Sequence, residues 1–234
     1  MTTAAQNTAL GACALAATTT GGCNTGIGYL ALTSNTTGVD NIAIGRCALH
    51  ANTDTNENVA IGNFALRSND NTNSVAIGFK ALCANTTGAN NTAVGTNSLD
   101  GNTTASDNTA LGKSSLGANT TGCENTAIGK DAMLANTTGI RNVAVGKGSL
   151  KTNTTGASNV AIGREALGVA TTAANNTSVG FDSMQATTTG AGNVAIGRNA
   201  LFTNTTGTEN VAIGLYALNA NTTGDRNVAI GCGA

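Results

Sequence analysis

The sequence predicts an all-β fold, a parallel β-solenoid of about fourteen coils of 17 residues, forming one repeat domain over 1–234. Three observations predict it. A glycine recurs at Gly11, Gly28, Gly45, Gly62, Gly78, Gly95, Gly112, Gly129, Gly146, Gly163, Gly180, Gly197, Gly214 and Gly231, always 17 residues apart except for the step of 16 from Gly62 to Gly78. β-Branched residues alternate with alanine just before each of these glycines. Charged residues are confined to a few places in every repeat.

Each unit is numbered from the residue four before its glycine, so the first runs 7–23 and the last, partial one 227–234. Position 2 is always Val, Ile or Thr, and position 4 always Ile, Val or Leu; position 3 is Ala except at Gly26 and Ser178. Period-2 alternation with β-branched residues marks a strand, with positions 2 and 4 on one face and position 3 on the other. The β-branched face is expected to form the core, through Ile44, Ile61, Ile77, Ile128, Ile162, Ile196 and Ile213. Position 9 is always Leu or Met and follows Ala or Ser. It is expected to lie on a second short strand, from about position 8 to 12, which adds Leu49, Leu66 and Leu167 to the core.

The glycine at position 5 opens one turn, and Asn-Thr-Thr-Gly, as at 153–156, supplies the other. Asparagine at position 1, replaced only by Ser74, is expected to form a hydrogen-bonded amide ladder. All charges fall at positions 6, 7, 10, 13, 14, 16 or 17, outside the expected strand and core. One unit cannot offset its own chain entropy, so the coils must stack, at roughly 4.8 Å each. Position 3 points away from the expected core yet stays small and apolar. Ala43, Ala60, Ala76, Ala127, Ala144, Ala161, Ala195 and Ala212 are therefore expected to form the lateral interface of a homo-oligomer.

Asn-Val-Ala-Ile-Gly at 58–62, 159–163, 193–197, 210–214 and 227–231 resembles the head repeat of YadA-like trimeric autotransporter adhesins. With Ala-Leu and Asn-Thr-Thr-Gly, the whole unit is similar to the shafts of phage tail fibres. The resemblance covers essentially the full chain, although the 17-residue unit is longer than the usual adhesin head repeat. It implies a left-handed β-roll in a homotrimeric bundle.

Residues 1–6 read as positions 12–17 of a coil rather than as a secretory signal, and Ala234 stands at position 8. These two partial coils complement each other, so copies are expected to stack head to tail into an open filament. Cys13 and Cys232 would lie one coil apart across that joint and are the expected inter-subunit disulfide; Cys23, Cys47, Cys83 and Cys123 are expected to be free thiols.

An enzyme needs convergent, non-repeating polar groups, and this chain offers a single histidine, His50, on an almost unbroken repeat. No catalysis, metal or cofactor is expected. A net charge of -1 gives no attraction to nucleic acid, and no apolar stretch is long enough to span a membrane. The expected function is a structural rod that partners itself, in an extracellular filament, at a cell surface or on a virion, with or without adhesive contacts to a cell surface or to glycans. The alternative is an ice-binding or other surface-binding module, through columns of Thr pairs from Thr36-Thr37 to Thr222-Thr223; their place in a glycine-containing turn counts against it. The aromatics Tyr29, Phe64, Phe79, Phe181, Phe202 and Tyr216 sit at positions 6, 7 or 10 and are expected to pack over turns or between chains. Lys113, Lys130, Lys147 and Arg164 are expected to form a solvated face, relieved by Asp131 and Glu165.

Overall fold

A computed structural model describes residues 5–234 and divides the chain into two compact units, one ending at Thr121 and the other spanning Gly122–Ala234. The first holds β1 (Thr8–Leu10), β2 (Thr25–Ile27), β3 (Ile42–Ile44), β4 (Val59–Ile61), β5 (Val75–Ile77), β6 (Thr92–Val94) and β7 (Thr109–Leu111). The second holds β8 (Thr126–Ile128), β9 (Val143–Val145), β10 (Val160–Ile162), β11 (Thr177–Val179), β12 (Val194–Ile196), β13 (Val211–Ile213) and β14 (Val228–Ile230). Within each unit every strand pairs in parallel with the next, and equivalent residues stand opposite, as in Ile42↔Val59, Ala43↔Ala60 and Ile44↔Ile61. Each unit is a parallel β-solenoid, without helix among the described residues. The proposed N-terminal half-coil falls largely on 1–4, outside the described residues.

The strands lie where the sequence puts them, but their faces are reversed. Ala43, Ala60, Ala76, Ala127, Ala144, Ala161, Ala195 and Ala212, expected at a lateral interface, are fully buried inside the coil. Ile77, Ile128, Ile162 and Ile196, expected inside, are 36–40 % exposed, and Ile44, Ile61 and Ile213 are half-buried on the same outer face. Leu49, Leu66 and Leu167 are core residues as expected. The reason is width. At Gly26 an added Cβ would lie 3.1 Å from Leu15 Cγ, so the space facing position 9 has room for alanine and little more. Isoleucine there would overpack the coil. Leucine fills the interior from one side, alanine closes it from the other, and the β-branched residues turn outward.

The expected second strand is a run of turns instead. The Gly45 carbonyl accepts from the Ala48 N–H at 3.2 Å, and the Leu32 carbonyl from the Asn35 N–H at 3.3 Å. Positions 7 and 9 take left-handed φ, as at Cys47 (54°) and Leu49 (50°). That conformation costs about 1–2 kcal/mol for a residue other than glycine. Burying the leucine contributes about 1.5–3 kcal/mol in return. Its N–H also donates to the next coil, as from Leu49 to the Ala65 carbonyl at 3.0 Å. Asn97, Asn199 and Gly148 at position 7 suit this backbone without a side chain that resists it. At position 5 glycine is required: φ is +131° at Gly129, and a Cβ there would come within 2.7 Å of the Gly146 backbone.

Two buried amide ladders run through the coils. At position 1 the Asn159 N–H and Nδ2 donate to Asn142 Oδ1 at 3.0 and 3.1 Å. The second ladder, at position 12, was hidden in the Asn-Thr-Thr-Gly motif: Asn153 Nδ2 donates to Asn136 Oδ1 at 2.8 Å. Both ladders also close their own coil, since Asn142 Nδ2 and Asn153 Nδ2 donate to the same Gly156 carbonyl at 2.8 and 3.0 Å. The short coil between Gly62 and Gly78 keeps this closure. There Asn58 and Asn69 both donate to the Asn71 carbonyl, so the missing residue comes out of the outer turn.

Breaks in the ladders coincide with unpaired buried atoms. Ser74 Oγ, Thr187 Oγ1 and Asn153 Oδ1 have no hydrogen-bond partner. Ser74 replaces a position-1 asparagine, Thr187 a position-12 asparagine, and Ala170 stands where the donor to Asn153 would be.

Two predictions follow from this packing. Ala161→Leu should destabilise by about 1–3 kcal/mol through overpacking. Ile162→Asp should cost about 1 kcal/mol or less, as a change on the open strand face. Thermal melts of dilute protein compare them. In the second, Ala170→Asn combined with Ala173→Gly should raise stability by about 1 kcal/mol, by giving Asn153 Oδ1 a donor and Thr187 an acceptor. Urea titration checks it.

Candidate functional site

The reversal of faces puts an apolar surface on the outside of each unit. Positions 2 and 4 form two adjacent columns along the sheet, a Val/Thr/Ile column and an Ile/Val/Leu column. In the first unit they include Ile42, Ile44, Val59, Ile61, Val75, Ile77 and Leu111. In the second they include Ile128, Val145, Val160, Ile162, Val194 and Ile196. Contiguous apolar patches of more than a few hundred Å² are unusual on a monomer and mark contact surfaces. The small residues expected to let another chain approach are instead sealed inside.

Charged residues border this face. Position 17 precedes each strand and carries Asp40, Glu57, Asp107, Glu124 and Glu209, together with Arg141 and Arg226; all are exposed. Position 6 follows each strand and carries only basic charges: Arg46, Lys113, Lys130, Lys147, Arg164 and Arg198, also exposed. The two position-17 arginines are paired along their own edge, Arg141 with Glu124 at 3.2 Å and Arg226 with Glu209 at 2.8 Å. Lys130 lies 3.8 Å from Asp131, and Arg164 3.3 Å from Glu165. The expected relief of the basic column is therefore real, but exposed pairs of this kind contribute only about 0–1 kcal/mol each.

The aromatics lie along the basic edge. The Arg46 guanidinium sits 4.5 Å over the Phe64 ring, which meets Phe79 edge-on at 6.2 Å. Lys80 approaches Phe79 at 5.7 Å. In the second unit Phe181 is held between Arg164 at 5.1 Å and Arg198 at 5.7 Å, three position-6 side chains in successive coils. These contacts fix long cations in place along the edge. In the first unit a shallow hollow of about 270 Å³ opens beside Phe64, lined also by Cys47, His50 and Arg67.

The threonine pairs are less available than the sequence suggests. In successive coils the first hydroxyl of the pair donates to the next coil, as from Thr36 to the Thr53 carbonyl at 2.9 Å and from Thr154 to the Thr171 carbonyl at 3.0 Å. The six cysteines are free thiols in the single chain; Cys13 and Cys232 are exposed, and Cys23 Sγ donates to Gln6 Oε1 at 3.2 Å. No helix among the described residues is long and apolar enough to cross a membrane. No protein-family model matches the chain, and the comparison with curated proteins finds no match.

Two titrating groups stand at position 10 of successive coils, Cys83 and Asp100. Burial pushes the Asp100 carboxyl above the usual carboxylate range, against the pull of Lys80. Burial, then the charge of Asp100, raises the Cys83 thiol, while Arg67 and Lys80 act the other way. Asp182 is also raised, by burial and then by Glu165. Exposed Asp225 is lowered by hydrogen bonds from the Thr208 N–H at 2.7 Å and hydroxyl at 2.9 Å.

For Asp100 the folded state holds the proton more tightly than the unfolded chain. Its contribution to stability therefore falls as pH rises from the ordinary carboxylate value of about 3.9 through the raised one. Asp100→Asn should raise the melting temperature at pH 7 and leave it unchanged at pH 3, as scanning calorimetry at the two pH values will show.

Proposed function

We propose that this chain is a structural, non-catalytic protein whose solenoid coils pack side by side with other copies of itself in a fibre outside the cell or on a virion. The observation that carries the reading is the exposed strand face: β-branched side chains at positions 2 and 4, repeated through both units, left uncovered by the chain's own fold. Burying such a surface between identical chains is the direct way to remove it from water. Parallel coils joined by amide ladders also suit a load-bearing shaft, because equivalent groups hydrogen-bond along the stacking direction. The repeat's resemblance to three-chain adhesin heads and tail-fibre shafts supports a homotrimeric bundle, with end-to-end stacking extending the same ladder. In this arrangement the interface is the isoleucine face, and the alanines act only within each chain.

An ice-binding surface would present regular, free threonine hydroxyls. Here the first hydroxyl of the turn pairs, as at Thr36 and Thr154, is engaged with the neighbouring coil, which favours the fibre.

The purified chain should run as an oligomer in sedimentation velocity and as bundles in electron micrographs. Ile61→Asp with Ile162→Asp should reduce it to a folded monomer with an unchanged circular dichroism spectrum. A wild-type chain that stays monomeric at high micromolar concentration would overturn the proposal.

A further inference from the structure

The apolar face of each unit fits another copy in either direction, but its charged borders do not. Three strands carry an acid on one side and a base on the other: Asp40–β3–Arg46, Asp107–β7–Lys113 and Glu124–β8–Lys130. All six side chains are exposed. The acids stand at position 17 and the bases at position 6, so the face of the first unit has an acidic long edge and a basic one, and that of the second has a mixed edge, with Glu124, Arg141, Glu209 and Arg226, opposite a wholly basic one. Arg46 is held at its edge by Phe64, at 4.5 Å. The departures are Arg141 and Arg226 on the position-17 side, paired to Glu124 at 3.2 Å and to Glu209 at 2.8 Å, and Asp131 beside Lys130 at 3.8 Å.

We infer that copies of the chain associate in the same direction and in register, with the acidic edge of one strand face against the basic edge of its neighbour's. The argument is one of symmetry and rests on the side-by-side reading above. A rotation about an axis parallel to the coil stack, two-fold or three-fold, keeps all copies pointing the same way and brings the position-17 edge of each beside the position-6 edge of the next. A two-fold axis along the strands reverses one copy and sets base against base and acid against acid. Like charges opposed across a contact are costly, and edge charges act more on orientation and partner choice than on raw affinity. A closed bundle involves rotation without axial shift, so each strand meets its own equivalent. Asp40 then faces Arg46 of a neighbouring copy, Asp107 faces Lys113, and Glu124 faces Lys130.

The test mixes natural-abundance and ¹⁵N-labelled full-length chain and treats the assembly with a zero-length carbodiimide cross-linker. Mixed-isotope links joining Asp107 to Lys113 and Glu124 to Lys130 are expected. As a second arm, Asp40→Lys with Asp107→Lys and Glu124→Lys makes both sides of these three strands basic. It should weaken association by about tenfold or more at low salt, with an unchanged melt. Adding Arg46→Glu, Lys113→Glu and Lys130→Glu to the same chain restores opposite edges and should restore association. An assembly that forms but gives no mixed-isotope links at these pairs, or that ignores the charge reversals, overturns the directional inference and leaves side-by-side packing intact. A chain that never associates removes both.

Discussion

The inside of each coil is only as wide as one leucine facing one alanine, and the rest of the structure follows from that width. A leucine at position 9 reaches across the interior, so its opposite number on the strand must be small. The bulky β-branched residues next to it then have no place inside and line the outer face. Buried asparagines close the coil with their own amides, and they do so by gripping one shared carbonyl.

This arrangement differs from an ordinary β-sandwich in where stability comes from. Apolar burial per coil is modest: one leucine or methionine with a few alanines or serines. Hydrogen bonding between successive coils is dense and repeats at nearly every position, in backbone and in two side-chain ladders. Each coil is held mainly by its neighbours, as in other quasi-one-dimensional folds. The left-handed leucine is a local cost accepted because the stack fixes it from above and below.

Much of this was legible in the sequence. The period, the strand positions, the role of the position-5 glycine, the position-1 ladder and the exclusion of charge from the interior all come from residues that recur in register. The orientation of the strand was not legible from alternation alone. A three-residue strand has two apolar faces here, Ile-Ile and Ala, and the larger one reads as core by default. The clue lay elsewhere: a solitary Leu or Met per coil already fills a narrow interior. The run of turns at positions 8 to 12 reads as strand because Ala-Leu is apolar. Asn97, Asn199 and Gly148, just before it at position 7, carry the signal of a left-handed backbone. The second amide ladder was concealed because Asn-Thr-Thr-Gly has turn chemistry sufficient to explain it, although its asparagine is fully buried. The charged borders of the face were visible only as a list of allowed positions until the strand between them was known to look outward.

The coil that lacks one residue shows where this architecture has slack. Asn69 and Asn58 still reach a common carbonyl, supplied by Asn71, and the strands on either side remain in step. The slack lies between the second amide and the carbonyl it grips. Such a stretch can lose a residue, or accept a graft, while the periodic body of the molecule counts on undisturbed.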